Sequence, residues 1–242
     1  MDQIKDIKCV ATTLGNDEPL LMKSKLRVQK HGEVFTPQWV VDKMLSIPGI
    51  KEKAEDIFAT FLEPSAGEGV FLLTIENMKL QFVLEHYNKE QWNTYALWAL
   101  TSIYGIELLV DNLMSAQQSM LDLFAAFYED VHGEPLSEES DLYKSARTII
   151  RANIVQGNTL TRKNQREEEI IFSRWSQVSD RPRMVERITF TYSSLFTESA
   201  DEEIYVQGNL FDMFDQPVGE LALAEYAVVD IEQVWREEKE NG

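Results

Sequence analysis

The sequence predicts an α/β protein with a mostly parallel sheet covered by helices, and three observations point there. From Pro37 to Gly157, helical and strand-like stretches run in the order helix, strand, helix, helix, strand, helix, helix, strand. Such alternation implies crossover connections between parallel strands. The 242 residues, 44% apolar and 26% charged, are enough for a substantial core. No internal repeat, low-complexity tract or Pro/Gly-rich linker divides the chain, so one domain with appendages is preferred over two separate ones. The expected organisation is an irregular or helical arm over residues 1–30, an α/β core over 31–160, and a segment 161–242 that completes the sheet or forms a small accessory lobe with an acidic C-terminal region.

Each element has its own signal. FTPQWVVDKMLSI opens a helix, with Thr36 as N-cap, Pro37 at the first helical position, and apolar Trp39, Val40, Met44, Leu45 and Ile47 following. DIFATFLEP reads as a strand ending at Glu63, and GVFLLTIENMKLQFVLEHY as an amphipathic helix. Residues 90–101 form a second helix, and SIYGIEL is a short buried strand. VDNLMSAQQSMLDLFAAFYEDV and EESDLYKSARTIIRA return to helical periodicity before the short strand NIVQG. Beyond Asn158, the candidate strands are IIFSRW, ERITFTYSS and EYAVVDI, separated by charged loops.

Composition narrows the function. No run approaches the roughly 18 apolar residues of a membrane span, and MDQIKDIKCVATTLGNDEP lacks the apolar centre of a secretory signal. A cytoplasmic location without membrane contact is therefore expected. Cys9 alone cannot form an intramolecular disulfide, and with His31, His86 and His132 scattered along the chain no structural metal is expected. The net charge of −18 argues against a free-standing nucleic-acid binder, because such affinity comes largely from Lys and Arg displacing counterions from phosphate. Charge is uneven, however: residues 31–141 carry 19 acids and 5 bases, residues 198–242 carry 13 and 2, and residues 142–197 carry 5 acids and 10 bases. The basic stretch is either a solvated face or a surface for phosphate or an acidic partner.

EPSAGEG, residues 63–69, falls between the first strand and its following helix. In a parallel sheet the ligand crevice lies beyond the C-terminal strand ends, where a glycine turn brings backbone N–H groups against the ligand. A lone G-x-G is equally a plain tight turn. The dinucleotide fingerprint G-x-G-x-x-G fails, since Leu72 occupies the third position.

Three further stretches accompany the loop: HGEVFTP before it, IYGIELL at the end of the second strand, and NIVQGNTL at the end of the third. In order and spacing the four resemble the cofactor half of the S-adenosylmethionine-dependent DNA adenine-N6 methyltransferases of restriction-modification systems, over roughly residues 31–160. The resemblance implies a Rossmann-like methyltransferase fold and S-adenosylmethionine as cofactor. It implies that Phe35 and Thr36, in the motif ending at Pro37, close over the amino-acid end, and that the loop of Glu63, Pro64, Ser65, Ala66, Gly67 and Gly69 holds the methionine portion. Glu63 would receive the ammonium directly or through water, Glu107 would accept two hydrogen bonds from the ribose hydroxyls, and Leu108 would pack on the adenine. Asn158, where the family has Asp, would accept the adenine amino group without charge, within the motif that ends at Leu160. Taken by themselves, Glu63 and Glu107 could equally be solvated strand ends, Phe35 a core aromatic, and Thr36 a helix cap alone.

Methyl transfer to adenine also needs acceptors for the flipped base beside an aromatic face. The family supplies Asn or Asp, then Pro-Pro and an aromatic residue, and this chain has no Pro-Pro pair among its seven prolines. SDRPRM is the nearest imitation, and Asp230 with Trp235 in EYAVVDIEQVW offers an acid and an aromatic close together. Nor is there a segment of the size that reads a DNA sequence. The expected function is thus a cofactor-binding, DNA adenine methyltransferase-like chain that reaches DNA through a partner or further chain, such as a catalytic or specificity subunit. The alternatives are a catalytically degenerate regulatory subunit or a non-enzymatic interaction protein.

Overall fold

A computed structural model of the chain describes residues 27, 29, 34–196 and 222–239; apart from Arg27 and Gln29, the expected N-terminal arm lies outside the described residues. In chain order the elements are α1 (Gln38–Leu45), α2 (Ile50–Glu55), β1 (Phe61–Glu63), α3 (Val70–His86), α4 (Lys89–Thr101), β2 (Ile103–Glu107), α5 (Val110–His132), α6 (Asp141–Asn153) and β3 (Ile154–Gln156). There follow β4 (Ile171–Val178), β5 (Arg181–Thr191), a 3₁₀ turn (Tyr192–Leu195), β6 (Ala224–Asp230) and a second 3₁₀ turn (Ile231–Arg236).

The start of α1 is displaced by one residue from the expected position. Pro37 has ψ 144° and is itself the N-cap, its carbonyl accepting from the Val40 and Val41 N–H groups. Thr36 is therefore outside the helix and is not its cap. The short helix α2 has no counterpart in the sequence reading, and β1 occupies only the last three residues before the glycine loop, residues 56–60 being mostly turns.

Strands β1, β2 and β3 form a parallel sheet in that order, with Leu62 opposite Tyr104 and Ile106 opposite Val155. Strands β4, β5 and β6 do not extend it. They pair antiparallel in a second three-stranded sheet, so among the described residues the protein is mixed α/β with equal parallel and antiparallel parts, not mostly parallel. The physical reason lies in connection length: β4 and β5 are joined by the two residues Ser179 and Asp180, with Asp180 in the left-handed region at φ 60°. A two-residue link closes only an antiparallel pair.

Strand β2 is buried along its whole length and serves two cores. Alternation sends Ile103 into the large cluster built by α3–α6, and sends Tyr104 and Ile106 into a smaller one with Phe172, Phe190, Tyr192 and Leu195. The buried Tyr104 hydroxyl donates to the Ser173 carbonyl at 2.8 Å, joining the two sheets. In the larger core Trp92, Trp98, Phe124 and Phe127 are essentially inaccessible to water, each contributing on the order of 1.5–3 kcal/mol by burial. Trp175, Val185, Ile231 and Val234 enter the same cluster, so the segment after residue 160 shares the core of the segment before it.

Local signals set the helix limits. Asn88 caps α4 by accepting from the Gln91 N–H, Ser140 caps α6 through the Tyr143 N–H, and Gly133 ends α5 in the left-handed region. Asn153 closes the base of the core, donating to the Thr101 carbonyl and accepting from the Trp175 indole, both at 3.0 Å. No described helix is long and apolar enough to cross a membrane.

Two ionisable side chains of α3 are buried. Lys79 donates to the carbonyls of Asp56 and Ala59, and burial draws its ammonium down to about 7. Glu76 is fully inaccessible, with neither oxygen hydrogen-bonded, and burial holds its carboxyl well above the usual 4.5. The folded chain therefore retains a proton that the unfolded chain releases, and stability falls as pH rises from 4.5 through the folded value. Glu76→Leu is expected to remove that slope and to stabilise the chain at about pH 8 by roughly 1–3 kcal/mol, and by less near about pH 4.5, where the buried carboxyl is neutral but still without hydrogen bonds. Lys79 is common to both chains and cancels in the comparison. Urea denaturation at the two pH values measures the difference; a Glu76→Leu chain no more stable than the parent at the higher pH would contradict it.

Candidate functional site

The loops after β1, β2 and β3 all lie at one end of the parallel sheet, the end where such sheets place their ligands. Glu107, the last residue of β2, is the junction between them. One carboxylate oxygen, Oε2, accepts from the Gly67 N–H at 2.8 Å, while Oε1 accepts from the Leu109 N–H at 2.9 Å and the Asn112 amide at 3.3 Å. Its own carbonyl accepts from the Gly157 N–H at 3.0 Å. A buried carboxylate left unpartnered is costly, so these donors are what allow an acid to end a buried strand.

The glycine loop folds down onto β2 through a second bond, from the Ala66 N–H to the Ile106 carbonyl at 2.9 Å. Gly67 sits at φ 57°, and the Phe35 ring lies against it, 3.5 Å from the place a Cβ would occupy. Gly69, at φ 93°, is the N-cap of α3 and lets that helix end approach α5 so closely that a Cβ would stand 2.9 Å from the Ala116 methyl. Glu63 is half-buried; burial raises its carboxyl, against the opposing effect of a bond accepted from the Ser65 N–H at 3.0 Å. The loop after β3 meets this loop where the Thr159 hydroxyl donates to the Pro64 carbonyl.

Phe35, residues 63–69, Glu107, Leu108 and Asn158 are thus gathered at one end of the sheet. Thr36 is exposed, and Pro37 is half-buried at the start of α1. Leu108 is exposed and Leu160 is 93% accessible, so neither is packed as a core residue. The side-chain oxygen of Asn158 accepts from the Leu160 N–H at 2.9 Å and the Thr161 N–H at 3.2 Å, which commits it to its own turn.

Three residues here escaped the sequence reading. Asn112 is a polar side chain on the buried face of α5, a position whose mismatch with its apolar neighbours is a usable signal. Arg27 pairs with Asp111 at 2.7 Å and donates to Asn112 at 3.3 Å, and Thr159 reaches Pro64. Those two contacts span 84 and 95 residues and leave no local trace.

The stretches weighed as substitute acceptors are occupied otherwise. SDRPRM makes the Ser179–Asp180 turn and the first four residues of β5. Asp230 pairs with Arg183 at 2.8 Å and accepts from the Glu232 N–H, and Glu232 pairs with the same arginine at 3.1 Å. Arg187 lies between the rings of Trp175 and Tyr226, 4.7 and 4.2 Å from their centres, and bonds Glu237 at 2.9 Å. The described acidic C-terminal residues therefore fold back on part of the basic stretch. Among the described residues, no group of three or more His, Cys, Asp or Glu is arranged to hold a metal ion.

No protein-family model matches the chain, and no curated protein or solved structure does so.

Gly69→Ala is expected to destabilise the chain by about 2–4 kcal/mol, through the left-handed backbone and the contact with Ala116 together. Adding Ala116→Gly relieves the steric part and leaves the backbone part. Thermal and denaturant unfolding of the single and double variants would show this, and a loss below about 0.5 kcal/mol for the single variant would contradict it.

Proposed function

We propose that the chain binds S-adenosylmethionine over the three loops at the end of the parallel sheet, as a DNA adenine-N6 methyltransferase-like protein. On this reading β1, β2 and β3 are one half of a Rossmann-like sheet, in which the first three strands are adjacent in the same sequential order. The observation that carries the reading is the junction at Glu107: an acid ending the central strand, hydrogen-bonded to the glycine loop, with Phe35 against that loop and the Asn158 turn beside it.

Lone-pair arithmetic then constrains how the ligand enters. A carboxylate offers about four acceptor directions, and Gly67, Leu109 and Asn112 use three of them. One direction on Oε2 remains. A ribose diol that bonds Glu107 through both hydroxyls must therefore displace one of these three donors and free it for the ligand. The half-buried Glu63 carboxylate would hold the ammonium, and the exposed Leu108 supplies an apolar face for adenine.

Transfer to DNA requires a further chain. The Asn/Asp-Pro-Pro-aromatic acceptor is missing from the sequence, and Asp230 is engaged by Arg183. That engagement also favours a second reading, in which the chain binds the cofactor as a regulatory or assembly subunit and transfers nothing.

Calorimetry with S-adenosylmethionine is expected to show one site, lost in Glu107→Ala while that variant still unfolds cooperatively. Absence of both heat and thermal stabilisation at millimolar cofactor would dispose of the proposal. The isolated chain is expected to leave duplex DNA unlabelled when given methyl-labelled cofactor; label in DNA would show that the acceptor groups lie within this chain.

A further inference from the structure

We infer that a second binding site, separate from the strand-end loops, lies between α5 and α6 and takes a nucleoside phosphate. A cleft of about 320 Å³ opens there, within the range of roughly 300–1,000 Å³ that small-molecule pockets occupy. Arg147 and Arg151 line it from α6. Four residues apart, they share one face of the helix, a placement of like charges that disfavours the helix unless an anion joins them.

Arg147 and Arg151, like Arg162, Arg166 and Arg181, have no counter-ion among the described residues, whereas four other bases of residues 142–197 do. Lys144 pairs with Glu139, Lys163 with Glu167, Arg183 with Asp230 and Glu232, and Arg187 with Glu237. Among the described residues neither Arg147 nor Arg151 makes an ion pair or donates a hydrogen bond, although the chain carries a net charge of −18. Arg147 instead rests over the Tyr143 ring, 5.9 Å from its centre, which holds the guanidinium beside the cleft. Guanidinium pairs of this kind recognise phosphate through several directed N–H donors.

The remaining lining selects more than a bare anion. Met114 is exposed at the cleft, and with the half-buried Tyr143 ring it offers apolar surface to a planar group above the buried Leu121 and Ile150. Glu138 also lines the cleft, and Asp122 acts electrostatically on Tyr143. These acids oppose a polyanion but accept hydrogen bonds from ribose hydroxyls or a base amine. The Gln117 amide nitrogen is spent on the Ile154 carbonyl at 2.7 Å, which leaves its oxygen as an acceptor. Phosphate on the arginines, with a hydrogen-bond-donating planar moiety over the floor, satisfies both sets of groups.

The test uses the full chain with ADP as the probe, followed by calorimetry. ADP is expected to bind with micromolar affinity, adenosine and pyrophosphate each at least about tenfold more weakly, and saturating S-adenosylmethionine is expected not to compete. Arg147→Gln combined with Arg151→Gln, two exposed positions, is expected to reduce ADP affinity by at least about tenfold without changing the thermal midpoint appreciably. No ADP binding up to millimolar concentration overturns the inference, as does ADP binding that survives in the double variant or is displaced by S-adenosylmethionine. Arginine-dependent binding of an oligoglutamate peptide in place of ADP overturns it too, in favour of an acidic protein partner. Because ADP binding and its loss in the double variant are read without S-adenosylmethionine, failure here is distinguishable from failure at the strand ends.

Discussion

Every residue of β2 is buried, and that constraint organises the molecule. A strand inaccessible on both faces needs an apolar layer on each side. On one side the layer is helical, from α3 to α6, and on the other it is the antiparallel sheet, met by Tyr104 and Ile106. The second sheet is thus a covering layer for the first, which explains why its strands do not continue the parallel order. The shared core residues Trp175 and Val185 follow from the same arrangement.

The constraint extends to the end of the strand. Where β2 leaves the core the chain places Glu107, and burial obliges that carboxylate to find donors. It finds them in Gly67, Leu109 and Asn112, so one side chain determines how the loops after β1 and β2 meet. Glycine at position 67 accommodates both the left-handed backbone and the Phe35 ring. The resulting loop cluster is internally bonded. Any ligand entering it would have to replace existing hydrogen bonds with its own, a requirement that favours specificity over affinity.

Charge is distributed with similar economy. The acids Asp230, Glu232 and Glu237 neutralise Arg183 and Arg187 at the second sheet, where Arg187 is also enclosed by two aromatic rings. Within what the sequence presents as one basic stretch, Lys144, Lys163, Arg183 and Arg187 are ion-paired, whereas Arg147 and Arg151 on α6 are not. Arg147 and Arg151 stand beside a cleft of small-molecule size.

Local pattern alone determined the elements from α3 to β3, because long helical periodicity, Asn88 and Ser140 as caps, and Gly133 as a stop are all signals carried within a few residues. It also marked Glu63, Gly67, Gly69 and Glu107 as residues gathered at strand ends, since position after a buried strand is readable from the chain. It misplaced the cap at Thr36, where Pro37 is sterically compatible with either position and only its ψ angle separates them. It did not reveal the partners of Glu107, the turn that occupies Asn158, or the reach of Arg27 and Thr159. The Gly67, Arg27 and Thr159 contacts span 40, 84 and 95 residues and exist only once distant parts of the chain are packed together, whereas the bonds within the Glu107 and Asn158 turns are local and depend on turn geometry. The second sheet was likewise decided by tertiary structure: a strand pattern states that one face is buried, and the other layer decides which sheet it joins.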